Sequence, residues 1–208
     1  MNHRTLICTF GFAERKVLAA MRKTGYSHLV LVAGKDVLDR KEFRLILGLE
    51  AKGGGKVATV TVDPFDFRDC YESVDTAIRG NSKHGEVVLS ISGGTKVLSD
   101  AAILAAFQNG VEAFHIDDEV VKLPVLRGVR FEDAFNETDV RVLRALKDGD
   151  TSDDLIAKLS DSGTSDAAVR KSLKSLERIG VLEPRLEEGR AKYCVIAGHR
   201  QLDVIAGR

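Results

Sequence analysis

The sequence predicts an α/β protein: a mostly parallel sheet covered by helices on both faces, followed by a smaller helical unit that ends in a strand pair. Three observations predict it. Up to about residue 126, short apolar runs alternate with helical patterns of ten or more residues. The runs are apolar at nearly every position, as in strands buried on both faces. After about residue 127 the pattern changes to short amphipathic segments closed by two strands around a polar turn.

Each element has its own signal. Thr5 to Phe10 reads as a buried strand, and a helix near 13–23 follows with Val17, Leu18 and Met21 on one face. A second strand, His28 to Ala33, ends at Gly34. The stretch 36–52 is amphipathic, with Phe43, Ile46, Leu47 and Glu50 at helical spacing, and Gly53-Gly54-Gly55 stops it. Val57 to Val62 is a β-branched third strand, followed by a helix containing Cys70, Val74, Ala77 and Ile78. Val87 to Ile91 is a fourth strand, and an alanine-rich helix covers Thr95 to Gln108. Val111 to Ile116 is a fifth strand and Val120 to Leu126 a sixth. Right-handed crossovers make this a doubly wound, Rossmann-like sheet.

The second unit begins after a mixed, polar stretch, 127–135. A helix near 137–147 turns Val140, Leu143 and Leu146 inward and ends at Gly149. Another, 152–159, follows Ser/Asp start signals and carries Leu155, Ile156 and Leu159. Asp161-Ser162-Gly163-Thr164 is a tight turn into a third helix, 165–179, with Val169, Leu173 and Leu176 on its core face. Strands 181–185 and 191–195 flank the turn Glu187-Glu188-Gly189-Arg190. Helix, helix, turn, helix and two-stranded wing is the order of a winged helix-turn-helix. The expected organisation is therefore 1–127 for the Rossmann-like domain, 128–135 for a linker and 136–208 for the winged domain.

Composition narrows the function classes. The chain has 208 residues, 44% hydrophobic and 30% charged, which is too apolar for disorder. It lacks the roughly 18 uninterrupted apolar residues that span a membrane, so no membrane partner is expected. The start is too short and too early broken by Gly11 for a signal peptide. Cys8, Cys70 and Cys194 are scattered and form no CxxC pair, which argues for reduced thiols in a cytoplasm and against a zinc site. Lys+Arg and Asp+Glu balance at 31 each, so any nucleic-acid affinity must come from a local patch.

The most informative stretch is Ser92-Gly93-Gly94-Thr95-Lys96, where a buried strand gives way to a helix at the carboxyl edge of the sheet. Its glycines permit close backbone approach, the first helical turn offers free N–H groups, and Ser92, Thr95 and Lys96 add hydroxyls and a positive charge. Together these suit a phosphate. The competing reading is a packing turn in which Thr95 caps the helix and Lys96 is solvated. Thr9-Phe10-Gly11-Phe12 ends the first strand on the same edge, so the two turns would face one crevice if strands one and four are neighbours. Phe10 and Phe12 then either stack on a base or pack. No Walker A loop exists, because Gly55-Lys56 is followed by Val57 and precedes a strand. No three-glycine dinucleotide fingerprint follows the first strand either.

Catalytic signals are few. His3, His28, His84, His115 and His199 share no metal-ligand spacing, Asp117-Asp118-Glu119 fits a solvated turn better than a general base or a metal site, and no nucleophile elbow is present. No catalytic residue, metal or cofactor is expected. The third helix of the second unit carries Arg170, Lys171, Lys174 and Arg178 away from its apolar face. Ser162, Thr164 and Ser165 stand at its start, and Arg185, Arg190 and Lys192 lie on the wing. This pattern suits double-stranded DNA, phosphate contacts giving affinity and residues near the helix start giving sequence choice. A winged adaptor that contacts protein is the alternative, to which Glu187 and Glu188 at the wing tip lend some weight.

The combination resembles the CRISPR-associated Rossmann-fold (CARF) regulators with a C-terminal winged helix, over nearly the whole chain. The resemblance rests on a first strand ending in Thr9-Phe10-Gly11-Phe12, a fourth running into Ser92-Gly93-Gly94-Thr95-Lys96, and the domain order. It implies a homodimer whose sensor domains bind one cyclic oligoadenylate, most often the tetra-adenylate, through Thr9 to Phe12 and Ser92 to Lys96. It also implies a transcription regulator of CRISPR-Cas genes rather than an enzyme. Slow ring cleavage or phosphodiesterase activity with an accessory winged domain is the alternative. Relatives that cleave use a lysine and the first turn; this chain has Lys96 but Thr9 where a serine would serve.

Overall fold

The computed structural model describes residues 3–55 and 57–196. Lys56 and residues 197–208, which include His199 and the end of the expected winged domain, lie outside the described residues. The chain divides into two compact units, one ending at Phe131 and the other beginning at Glu132, inside the stretch expected as a linker.

The first unit is built on β1 (Arg4–Phe10), α1 (Glu14–Lys23), β2 (His28–Gly34), α2 (Lys41–Lys52), β3 (Val57–Val62), α3 (Phe67–Ser82), β4 (Glu86–Ser90), α4 (Lys96–Asn109), β5 (Glu112–Ile116) and β6 (Val120–Lys122). Its six-stranded sheet runs in the order β3-β2-β1-β4-β5-β6, with only β6 antiparallel. The unbroken apolar runs follow from burial on both faces. In β1, Leu6, Cys8 and Phe10 pack with the side that holds Val17, Ala20, Phe43 and Ile46 of α1 and α2. Ile7 packs with the side that holds Val74, Ile78, Leu98 and Ala102 of α3 and α4. In β2, Leu29, Leu31 and Ala33 share the first side, Val30 and Val32 the second. Alternation with a period of two thus persists, but each face finds an apolar layer. Ala101, Ala102, Ala105 and Ala106 of α4 are fully buried, which explains a helix with little amphipathic contrast.

Some boundaries depart from expectation. The expected helix over 36–52 begins only at Lys41; Lys35–Val37 form a short 3-10 turn, and Arg40 is extended at φ −73°, ψ 150°. The sixth strand stops at Lys122 instead of reaching Leu126, two residues ahead of Pro124, which lacks the N–H a ladder needs. The helix expected over 137–147 ends at Ala145, because Leu146 turns extended while staying buried.

The second unit contains α5 (Glu137–Ala145), β7 (Asp150–Thr151), α6 (Ser152–Leu159), α7 (Asp166–Arg178), β8 (Leu182–Glu187) and β9 (Arg190–Val195). Its sheet has three strands, β7-β9-β8, not the expected pair; β7 spans only two residues and pairs antiparallel with β9. Capping boxes start α5 (Asn136 with Asp139) and α6 (Thr151 with Asp154). Asp139 is almost wholly buried, yet satisfied: it accepts from Asn136 N–H at 3.1 Å and from the Ser172 hydroxyl of α7 at 2.5 Å.

The thiols supply a direct check on both units. Cys8 is fully buried and burial pushes its thiol up. Cys70 donates to the Asp63 carbonyl at 3.2 Å; burial, then Asp69, Asp63 and Asp66, push it up to about 11. Cys194 on β9 is half-buried. Because the thiolate is the nucleophile, a raised pKa keeps a thiol protonated and inert at neutral pH. Native protein treated with iodoacetamide near pH 8 should show alkylation confined to Cys194 by intact mass, and full labelling only after unfolding in urea. Adducts at Cys8 in the native protein would contradict the packing of β1.

Candidate functional site

The strand order reverses between β1 and β4, so their following connections leave the sheet in opposite directions and open a crevice at its carboxyl edge. Both glycine turns lie there, in backbone contact. A Cβ on Gly11 would stand 2.8 Å from Gly94 Cα and N, and one on Gly93 would stand 2.4 Å from the Thr9 carbonyl oxygen. Gly94 holds φ +87°, a conformation that favours glycine.

Hydroxyls fix these turns from behind. Gly93 N–H donates to Thr9 Oγ1 at 3.3 Å, and that hydroxyl donates to the Ser90 carbonyl at 3.4 Å. Ile116 N–H donates to Ser92 Oγ at 2.6 Å, Ser90 and Ser92 share a further bond at 3.3 Å, and Ser99 donates to the Gly93 carbonyl at 3.2 Å. Thr95 Oγ1 accepts from Leu98 N–H at 3.1 Å, capping α4, and donates to the Pro64 carbonyl.

Beside the turns lies a cavity of about 240 Å³. Of the residues expected to contact a ligand, Phe10, Gly11, Phe12, Gly94 and Thr95 line it. The other expected residues lie deeper. The side chains of Thr9 and Ser92 are buried and hydrogen-bonded within the turns. Phe10 is 1% exposed and packs edge-to-face on Phe43 at 5.2 Å, so it is a core residue that only borders the cavity. Gly93 is buried behind Gly94. Lys96 is exposed at the first position of α4, whose first turn has no acidic residue. A cation there opposes the helix dipole unless an anion joins it.

The structure adds residues that the sequence reading missed. Gly34, Asp36 and Val37 after β2, and Pro64 and Phe65 after β3, line the same cavity. Arg40 lies with its guanidinium carbon 4.3 Å from the centre of the Phe12 ring. The available signal was topological: in a parallel sheet, the carboxyl ends of neighbouring strands share one edge.

In the second unit, α7 presents Lys171, Lys174 and Arg178 to solvent, and Arg190 is exposed at the start of β9. None of these four has an ion-pair partner among the described residues. Arg170 is held instead by Asp153 at 2.7 Å and the Ser152 hydroxyl at 2.9 Å, and Lys192 by Glu187 at 2.9 Å. Arg185 pairs with Glu183 at 3.3 Å. The hydroxyls at the start of α7 have partners within the chain. Ser165 caps the helix, and Ser162 donates to the Leu159 carbonyl at 2.6 Å while sharing a bond with Thr164.

Sheet order, paired glycine turns and the cavity beside them define a Rossmann-like α/β domain whose open edge is the carboxyl end of the strands. The chain belongs to the family of the Csa3 CRISPR-associated Rossmann-like domain, whose model matches residues 4–122. Among solved structures, the chain is similar in fold to a type III CRISPR defence DNA nuclease activated by cyclic oligoadenylate, with 18% identity and a TM-score of 0.51 over 86% of this chain and 31% of that one. It is similar also to protein VC1899 from Vibrio cholerae, with 10% identity and a TM-score of 0.51 over 98% of this chain and 64% of that one. Can2 from Sulfobacillus thermosulfidooxidans, solved in complex with cyclic tetra-adenylate, matches with 15% identity and a TM-score of 0.49 over 99% of this chain and 64% of that one. The chain thus spans less than two thirds of each. No curated protein matches the sequence. No helix among the described residues is long and apolar enough to cross a membrane.

Proposed function

We propose that the first unit is a CARF-type sensor that binds a cyclic oligoadenylate, with cyclic tetra-adenylate the first ring to test, across the axis of a homodimer. The second unit is a winged helix-turn-helix that binds double-stranded DNA, and the whole is a ligand-responsive transcription regulator of CRISPR-Cas genes. One observation carries the reading: Gly11 and Gly94 bring the two switch-point turns into backbone contact, with Lys96 opening α4 in a turn free of acidic residues. That is a setting for phosphate. An isologous dimer would present two copies to a ring of matching symmetry. The family match on residues 4–122 supports the sensor half. The order α6, turn, α7 and hairpin β8–β9 supports the DNA half.

Lys96→Ala is expected to weaken cyclic tetra-adenylate binding at least tenfold by calorimetric titration, since a bond to a charged group contributes about 1.5–3 kcal/mol. Without ligand its melting temperature should be unchanged or slightly raised, because an exposed cation at a helix N-terminus is removed. Undiminished affinity in the variant, or no binding of any ring size by the native chain, refutes the sensor reading. The ring should be recovered intact after long incubation; linear products would favour the nuclease reading instead.

For DNA, the double variant Lys171→Ala/Lys174→Ala should weaken binding to upstream DNA uniformly across sequences. It should reduce the slope of log K against log salt by about 2, each phosphate contact supplying about 0.9. A salt-independent interaction, untouched by the substitutions, would point to a protein partner.

A further inference from the structure

We propose that the cavity beside the glycine turns is an adenine pocket, in which one base of the ring stacks against Phe12 and Phe65 and meets Asp36 at its amino edge; this rests on the oligoadenylate reading. Phe12 is 61% exposed and Phe65 78% exposed, yet both line this one cavity. Two large apolar rings left to solvent around a common space have surface to gain from a flat aromatic ligand. At about 240 Å³ the space is below the roughly 300–1,000 Å³ of pockets for drug-sized ligands and suits a single base.

The aromatic walls are held in place. Phe65 N–H donates to Asp63 Oδ1 at 3.0 Å, Asp63 N–H donates to Asp69 Oδ2 at 2.6 Å, and the Pro64 carbonyl accepts from Thr95. The Phe65 loop is thereby tied to the turn that carries Lys96. Phe12 is backed by the Arg40 guanidinium at 4.3 Å, which fixes the ring and places a positive charge at the rim for the ring's phosphates.

Asp36 supplies selectivity. A Cβ at Gly34 would fall 2.7 Å from Asp36 Oδ1 and 2.9 Å from Pro64 Cγ, so the glycine leaves the room in which this carboxylate lies along the cavity. Among the described residues Asp36 has no hydrogen-bond or ion-pair partner, and an ionised carboxylate only accepts. It therefore suits the 6-amino group of adenine and repels the 6-carbonyl of hypoxanthine.

The test uses the full chain with millimolar adenosine 5′-monophosphate and saturation-transfer NMR. Saturation should reach adenine H2 and H8 more than the ribose. It should fall at least fivefold in Phe12→Ala/Phe65→Ala while the melting temperature stays within a few degrees of the native value. Inosine 5′-monophosphate should give a weaker signal, recovered in Asp36→Asn, whose amide can donate. An undiminished adenine signal in the double variant overturns the pocket, and equal adenosine and inosine signals overturn the role of Asp36.

Calorimetry with cyclic tetra-adenylate separates this inference from the reading beneath it. Here the double variant should bind at least tenfold more weakly than the native chain. If the native chain binds the ring and the double variant binds it equally well, the adenine pocket fails and the sensor reading survives. If adenosine monophosphate is seated through Phe12 and Phe65 but no ring binds, the sensor reading fails and the base pocket stands.

Discussion

Gly93→Ala is expected to destabilise the first unit by about 3 kcal/mol, at the upper end of ordinary overpacking. Its new methyl would stand 2.4 Å from the Thr9 carbonyl oxygen and 3.2 Å from Phe10 Cα. Those atoms belong to the end of β1, a central strand paired with both β2 and β4, so the obstacle is backbone that cannot swing aside. At 2–4 °C per kcal/mol for a chain of this size, the melting midpoint should fall by about 6–12 °C, measured by calorimetry. Ring affinity should fall with it, because the turn must lift away from Gly11. Gly48→Ala is the control. Gly48 lies within α2 with nothing within 4 Å of the added Cβ, so alanine there should stabilise by about 0.5–1 kcal/mol through helix propensity. If both substitutions behave alike, the backbone contact between the turns is wrong.

Phe10→Ala and Phe12→Ala should differ sharply although they are two positions apart. Phe10 is buried and stacks edge-to-face on Phe43, so its truncation should cost about 3–5 kcal/mol by urea denaturation. Phe12, mostly in solvent, has only the Arg40 contact to lose, and its truncation should cost under about 1 kcal/mol. The reverse order of effects would mean that the end of β1 is turned over, with the wrong ring inside.

This pair of phenylalanines also marks how far the sequence could be read. The apolar run Thr5 to Phe10 announces a strand buried on both faces, but nothing in it says that the strand's last ring stays in the core while Phe12 leaves it. Thr9 is similar. A hydroxyl near a strand end, two residues before a glycine, suits a ligand contact, and only the register of β1 against β4 shows that its partners are the Ser90 carbonyl and Gly93 N–H. The two-residue β7 left no signal because a pair that short has no periodicity, and Pro124 explains the early end of β6 only once the edge strand is seen.

What the sequence determined by itself was the longer helices and strands, their order, and the carboxyl-edge position of the two glycine turns, because burial on both faces of a sheet writes continuous apolar runs into the chain and glycine marks where no side chain fits. Tertiary structure alone decided which residues share the cavity. Gly34, Asp36 and Phe65 come from the ends of β2 and β3 and the connections that follow them, as does the Arg40 that lies over Phe12, far along the chain from the turns they face. The crossovers bring those ends to one edge of the sheet, and side-chain periodicity, being local, carries no record of that meeting.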